Sequence, residues 1–146
     1  MIFFFDRCIG LYVPTELRRR GVEVKIHGEV FKDDTEDDEW LAEVGSRGWV
    51  VVGKDYKFHL RANELAAIVQ HKVGCFYLGT GHMMKEELLA LFRKKYQDIY
   101  IAALRTTRPF IFKVPKAGSL AQIALPSVPQ AIAEIASTAE NPPGTC

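Results

Sequence analysis

Two stretches, "MIFFFD" (Met1 to Asp6) and "WVVVGKD" (Trp49 to Asp55), run apolar almost without a break and then stop on an acid. A strand with one wet face alternates apolar and polar side chains, so an unbroken apolar run reads as a strand covered on both faces. That cover has to come from helices, and the chain supplies them in alternation. "VPTELRRRG" has Pro14 near a helix start and Gly21 as its stop, after which "VEVKIH" alternates Val22, Val24 and Ile26 like a strand. "DDTEDDEWLAEVGSRG" places Thr35 three residues before Asp38, a capping-box spacing, with Trp40, Leu41 and Val44 on one helical face and Gly48 as the stop. Further on, "RANELAAIVQHKVG" and "KEELLALFRKKYQDIYIAALR" predict two more helices, "CFYLG" a fourth strand, and "FIFKV" with "SLAQIAL" a closing strand pair.

This alternation predicts an α/β fold with a mainly parallel sheet, because right-handed crossovers lay helices on both faces. Ligands in such sheets bind beyond the carboxyl ends of the strands, at the point where the strand order reverses. Asp6 ends the first strand, Asp55 follows the third, and Asp37 opens the helix after the second, so all three belong to one edge. With a strand order of 2-1-3-4, Asp6 and Asp55 become neighbours and Asp37 closes the group. Two carboxylates about 4 Å apart repel by about 4 kcal/mol at an effective dielectric of about 20, so the trio calls for a cation. Oxygen-only donors suit Mg²⁺ or Mn²⁺ rather than zinc, and this is a layout for metal-assisted phosphodiester hydrolysis. Each acid also has a plainer use: Asp37 as a helix cap, in competition with Asp38 and Glu39, and Asp55 as a turn residue.

The 146 residues, 48% of them hydrophobic, suffice for one core and are too few for two ordinary domains. Residues 1–125 are expected to form that domain, with 126–146 an Ala- and Pro-rich tail, frayed at "NPPGTC". A net charge of +1 argues against a protein that coats DNA, and the clusters "LRRR" and "RKK" read first as solvated helix faces. Cys8, Cys75 and Cys146 show no metal or disulfide spacing and read as reduced thiols. "MIFFF" lacks a basic leader and is cut short by Asp6 and Arg7, and no run approaches a membrane span, so a cytoplasmic protein without a membrane partner is expected.

The order "FFFDR", "EVKIH", "DDEWLAEVGSRGWVVVGKD" and "FYLGTG" resembles the PIN-like domain family, especially the branch that includes VapC-type toxins of toxin–antitoxin pairs, over roughly residues 1 to 125. The resemblance implies a three-layer fold and a Mg²⁺- or Mn²⁺-dependent ribonuclease, with Asp6, Asp37 and Asp55 as catalytic metal ligands. RNA is then the substrate, and Arg7, Lys54, Lys57, Arg61, Thr80 and His82 are its candidate contacts. Two departures stand out: Gly53 where the family often has Thr, and no acid at the end of the fourth strand in "LGTGH".

Two other readings compete. Asp55 after the third strand and Thr80 after the fourth resemble the phosphoacceptor arrangement of a receiver-like signalling domain, although Asp6 stands alone before Arg7 where a receiver has two acids. A catalytically silent PIN-like module that binds RNA or protein is the third. The apolar side chains Phe92, Tyr96, Ile99 and Tyr100 exceed what one helix stripe hides, which predicts an antitoxin contact or a homodimer. His27, His59 and His71 show no ligand spacing and are expected at the surface or at strand ends.

Overall fold

The computed structural model describes residues 1–54, 62–79 and 82–127. Its strands are β1 (Phe3–Phe5), β2 (Val24–Ile26), β3 (Val50–Lys54), β4 (Gly74–Leu78), β5 (Phe110–Val114) and β6 (Ala121–Ile123). The helices are α1 (Tyr12–Arg19), α2 (His27–Val30), α3 (Asp37–Arg47), α4 (Ala62–Gln70) and α5 (Lys85–Arg105), with a 3-10 turn over Arg7–Ile9. All six strands join one sheet in the order β2-β1-β3-β4-β5-β6. Every pairing is parallel except β5 with β6, the predicted closing strand pair, which runs antiparallel.

The unbroken apolar runs are explained by cover on both faces. Phe3 and Phe5 point to one side with Val50, Val52, Phe76 and Phe110, packed under Val13 and Leu17 of α1 and Leu88, Phe92 and Ile99 of α5. Phe4, Val51, Cys75 and Ile111 point to the other, under Trp40, Leu41 and Val44 of α3 and Ala67 and Ile68 of α4. The result is three layers, and side chains successive in β1 serve opposite cores.

Local signals mostly hold. Gly48 ends α3 in the left-handed region at φ 70°, where glycine has no Cβ penalty, and Arg108 donates to the carbonyls of Gly48 and Trp49 at the same corner. The Thr35–Asp38 capping box does not form. Glu36 occupies the cap position in extended geometry without a side-chain cap bond, so the acids of the first turn act through the helix dipole instead. The basic run "LRRR" is taken up locally: Arg18 makes a two-pronged bond to Glu29 at 2.6 and 2.8 Å, while Arg19 and Arg20 both reach Glu16.

On α5 the expected surplus of apolar surface is smaller than the sequence suggests. Phe92 and Ile99 are fully buried, and Tyr96 and Tyr100 pack at the edge of the same core, because α1 crosses over that stripe. Ile101 and Leu104 are the α5 side chains left outside, Leu104 at 66% exposure. Cys8 departs from expectation in being disulfide-bonded, whereas Cys75 is the expected free thiol, buried in the sheet, where loss of solvation raises its pKa far above the usual range. No helix among the described residues is long and apolar enough to cross a membrane.

Candidate metal centre

The strand order reverses between β1 and β3, since the connection after β1 runs to β2 on one side and the chain then returns to β3 on the other. Asp6 sits directly at this point. Its backbone N–H donates to the carbonyl of Val52 at 3.0 Å, extending the β1–β3 ladder by one residue and holding the acid at the carboxyl edge. The next residues along β3 are Gly53 and Lys54, with Lys54 half-buried at the strand tip.

Asp6 is itself half-buried, and its carboxyl is raised above the ordinary range. Loss of solvation is the main cause; the N–H of Cys8 pulls the other way, the charge of Asp37 pushes it up again, and Arg7 pulls it down through both its charge and its N–H. These amides act at a distance without closing a cap hydrogen bond on the 3-10 turn. Asp37 is brought to the same edge by α3, whose first residue it is, because α3 runs back toward the start of β3 and so opens at the carboxyl end of the sheet. The Trp40 indole Nε1–H donates to Asp37 Oδ1 at 3.0 Å.

The remaining expected site residues divide. Arg7 is at the edge, exposed, with Nη1 donating to the carbonyl of Asp33 at 2.6 Å, which holds the loop before α3. His82 is exposed in the segment leading to α5. Asp55, Lys57, Arg61, Thr80 and His59 lie outside the described residues. Among the described residues no three His, Cys, Asp or Glu side chains form a metal-sized group, so the described part of the centre is the pair Asp6 and Asp37. That pair fits a hard cation. Its donors are all oxygen, and a positive charge would relieve both the burial of Asp6 and its repulsion from Asp37.

Three side chains at this edge were given no site role by the sequence. His27 follows β2 and is only 2% exposed, enclosed by the rings of Phe4, Phe31 and Trp40 at 5.6 to 5.9 Å. Burial is the first cause of its lowered pKa, with Arg7 next, and its Nδ1 has no hydrogen-bond partner among the described residues. Tyr77 lies against Gly53: a Cβ there would stand 2.7 Å from Tyr77 Cε1. The Gly53 departure therefore has a steric reason. Glu64, in the first turn of α4, carries a charge felt by Tyr77 together with that of Asp6; an acid in the first turn of the helix after β3 was its sequence signal.

With this geometry, comparison with known families is decisive. A family model described as a PIN like domain matches residues 1–80, more than half of the chain. The chain belongs to the PIN-like domain family. The match contains Asp6, Asp37, Asp55 and the whole β1–β3 switch point, and it takes precedence over the receiver-like reading. PIN-like domains are generally nucleases, bind RNA and usually use divalent metals. No curated protein and no solved structure matches the chain.

Proposed function

We propose that residues 1–125 form a Mg²⁺- or Mn²⁺-dependent endoribonuclease, acting in the cytoplasm as the toxin of a toxin–antitoxin pair. One observation carries the catalytic part: in a PIN-like fold, the half-buried carboxyl of Asp6 at the β1–β3 switch point is pushed up by burial and by the charge of Asp37. A site so arranged gains from a cation what it loses by holding two acids together. Asp6, Asp37 and Asp55 are the proposed ligands. Held by these carboxylates, a metal would supply Lewis acidity and a site for the water that attacks the phosphodiester. Arg7, Lys54, Lys57, Arg61, Thr80 and His82 are the proposed contacts to the RNA, the cations among them placing phosphates without reading sequence.

The toxin assignment rests on the VapC-type order of "FFFDR" and "DDEWLAEVGSRGWVVVGKD". Its partner, an antitoxin or a second copy of the chain, is assigned to the outer face of α5, where Ile101 and Leu104 are exposed. A catalytically silent RNA-binding module is the second reading, favoured by the lack of an acid in "LGTGH" after the fourth strand.

The test is cleavage of a mixed-sequence RNA by the purified chain with Mn²⁺, with chelator, and with Asp6→Asn. The proposal expects Mn²⁺-dependent cleavage that falls by about a hundredfold or more in the variant, the scale of losing one well-placed electrostatic group. RNA that is bound and left intact under every condition establishes the silent module.

A further inference from the structure

Asp37 does not hang freely from the first turn of α3. Its Oδ1 accepts the indole N–H of Trp40 at 3.0 Å, and fixing one oxygen of a planar carboxylate sets the direction of the whole group. The donor is itself held from several sides. Trp40 is 5% exposed, its ring lies stacked on Phe4 at 5.4 Å and 29°, and His27 meets it edge-on at 5.6 Å and 83°. Phe4 is in turn stacked on Trp49. The orientation of the indole is thus decided by the aromatic core of this face of the sheet, including the side chain of β1 that immediately precedes Phe5 and Asp6.

We infer that Trp40 is a positioning residue for the metal ligand Asp37, transmitting the rigidity of the Phe4–Trp49–His27 cluster to the carboxylate through its indole N–H. This rests on the metal-site reading given above and deepens it. The indole has the right chemistry for such a role, because it is a donor only: it orders a carboxylate yet cannot compete for the cation as a hydroxyl or amide oxygen could. Asp37 and Trp40 are three residues apart and share one face of α3, so the bond forms within a single turn of the helix. An outer partner of this kind usually changes metal affinity ten- to a hundredfold, since it limits the conformations a ligand must give up on binding.

The experiment uses the full chain and reads Mn²⁺ affinity by calorimetry alongside the melting temperature of the metal-free protein. Three changes are compared: 3-benzothienylalanine at position 40, which replaces the indole N–H by sulfur with nearly the same shape; Trp40→Phe; and Asp37→Asn. The inference expects the sulfur analogue to melt with the wild type while its Mn²⁺ affinity drops by about tenfold or more. In an Asp37→Asn background the same replacement should change nothing further. If Trp40→Phe lowers the melting temperature, the sulfur analogue carries the comparison. Wild-type affinity in the sulfur analogue, with Asp37→Asn clearly weakened, overturns the inference and leaves the metal site standing. An equal loss in both backgrounds also overturns it, because the effect then reaches the metal by a route other than Asp37. Full affinity in Asp37→Asn removes the metal-site reading and the inference together.

Discussion

Replacing Asp6 by Asn keeps the side chain's shape and removes one charge, so it isolates what the switch-point acid costs the metal-free protein. The folded chain holds the Asp6 proton to a higher pH than the ordinary 3.8, through burial first and then the charge of Asp37. Between those two values the native state binds more protons than the unfolded chain, so stability falls as pH rises through the window and stays lowered above it. Each unit of elevation corresponds to about 1.4 kcal/mol. Asn avoids that cost but gains less than a carboxylate from the nearby N–H groups of Cys8 and Arg7, which offsets part of the benefit. The expected balance at pH 7 is a net gain in stability for Asp6→Asn, read as a higher melting temperature, each ~1 kcal/mol of gain raising it by about 2–4 °C in a chain of this size. Scanning calorimetry of both proteins with chelator, from acid to neutral pH, is the assay. Their difference should grow as pH rises past 3.8. An Asp6→Asn protein less stable than wild type at pH 7 would refute the reasoning, for it would make Asp6 a stabilising strand-end acid.

Other outcomes follow from the same geometry. Mn²⁺ at about 100 times its dissociation constant should stabilise the wild type by about 2.7 kcal/mol and Asp6→Asn by far less, as measured by the shift in thermal midpoint. Gly53→Ala puts a Cβ against the Tyr77 ring, 2.7 Å from Cε1, and should cost about 1–3 kcal/mol in urea unfolding. For His27 the sign is opposite to that of Asp6. Its native pKa is lowered from 6.5 by burial, then by Arg7, so the unfolded chain takes up the proton first and stability is lost as pH falls through 6.5 toward the native value. His27→Phe should remove that part of the acid destabilisation, seen as a flatter dependence of the melting temperature on pH below 6.5.

β1, β3, β4 and β5 were legible because short continuous apolar runs between turn signals read as strands with cover on both faces, and β2 by its alternation, whereas the order 2-1-3-4 was supposed from the α/β pattern and is what the sheet shows. Other features depend on contacts between distant segments. Helix α2 is four residues long and carries no period to read. The burial of His27 comes from Phe31 and Trp40 folding over it, and that of Phe92 and Ile99 from α1 crossing α5. Thr35 had the spacing of a cap, yet the chain enters α3 through an extended Glu36. At the candidate site, topology was enough to bring Asp6 and Asp37 to one edge. The bond from Trp40 to Asp37 could have been suspected from "DDEW", since three residues is one helical turn, but its meaning depends on the Phe4 stack beneath it.

The central claim is that the acids at the β1–β3 switch point share one divalent cation. An anomalous-scattering map from crystals grown with Mn²⁺ tests it most directly, because manganese is located by its own signal. The account predicts a single strong peak within about 2.0–2.6 Å of carboxylate oxygens of both Asp6 and Asp37, with the remaining positions filled by Asp55 and water. A map whose manganese peaks all lie away from these two carboxylates, with the carboxylates turned apart, would contradict it.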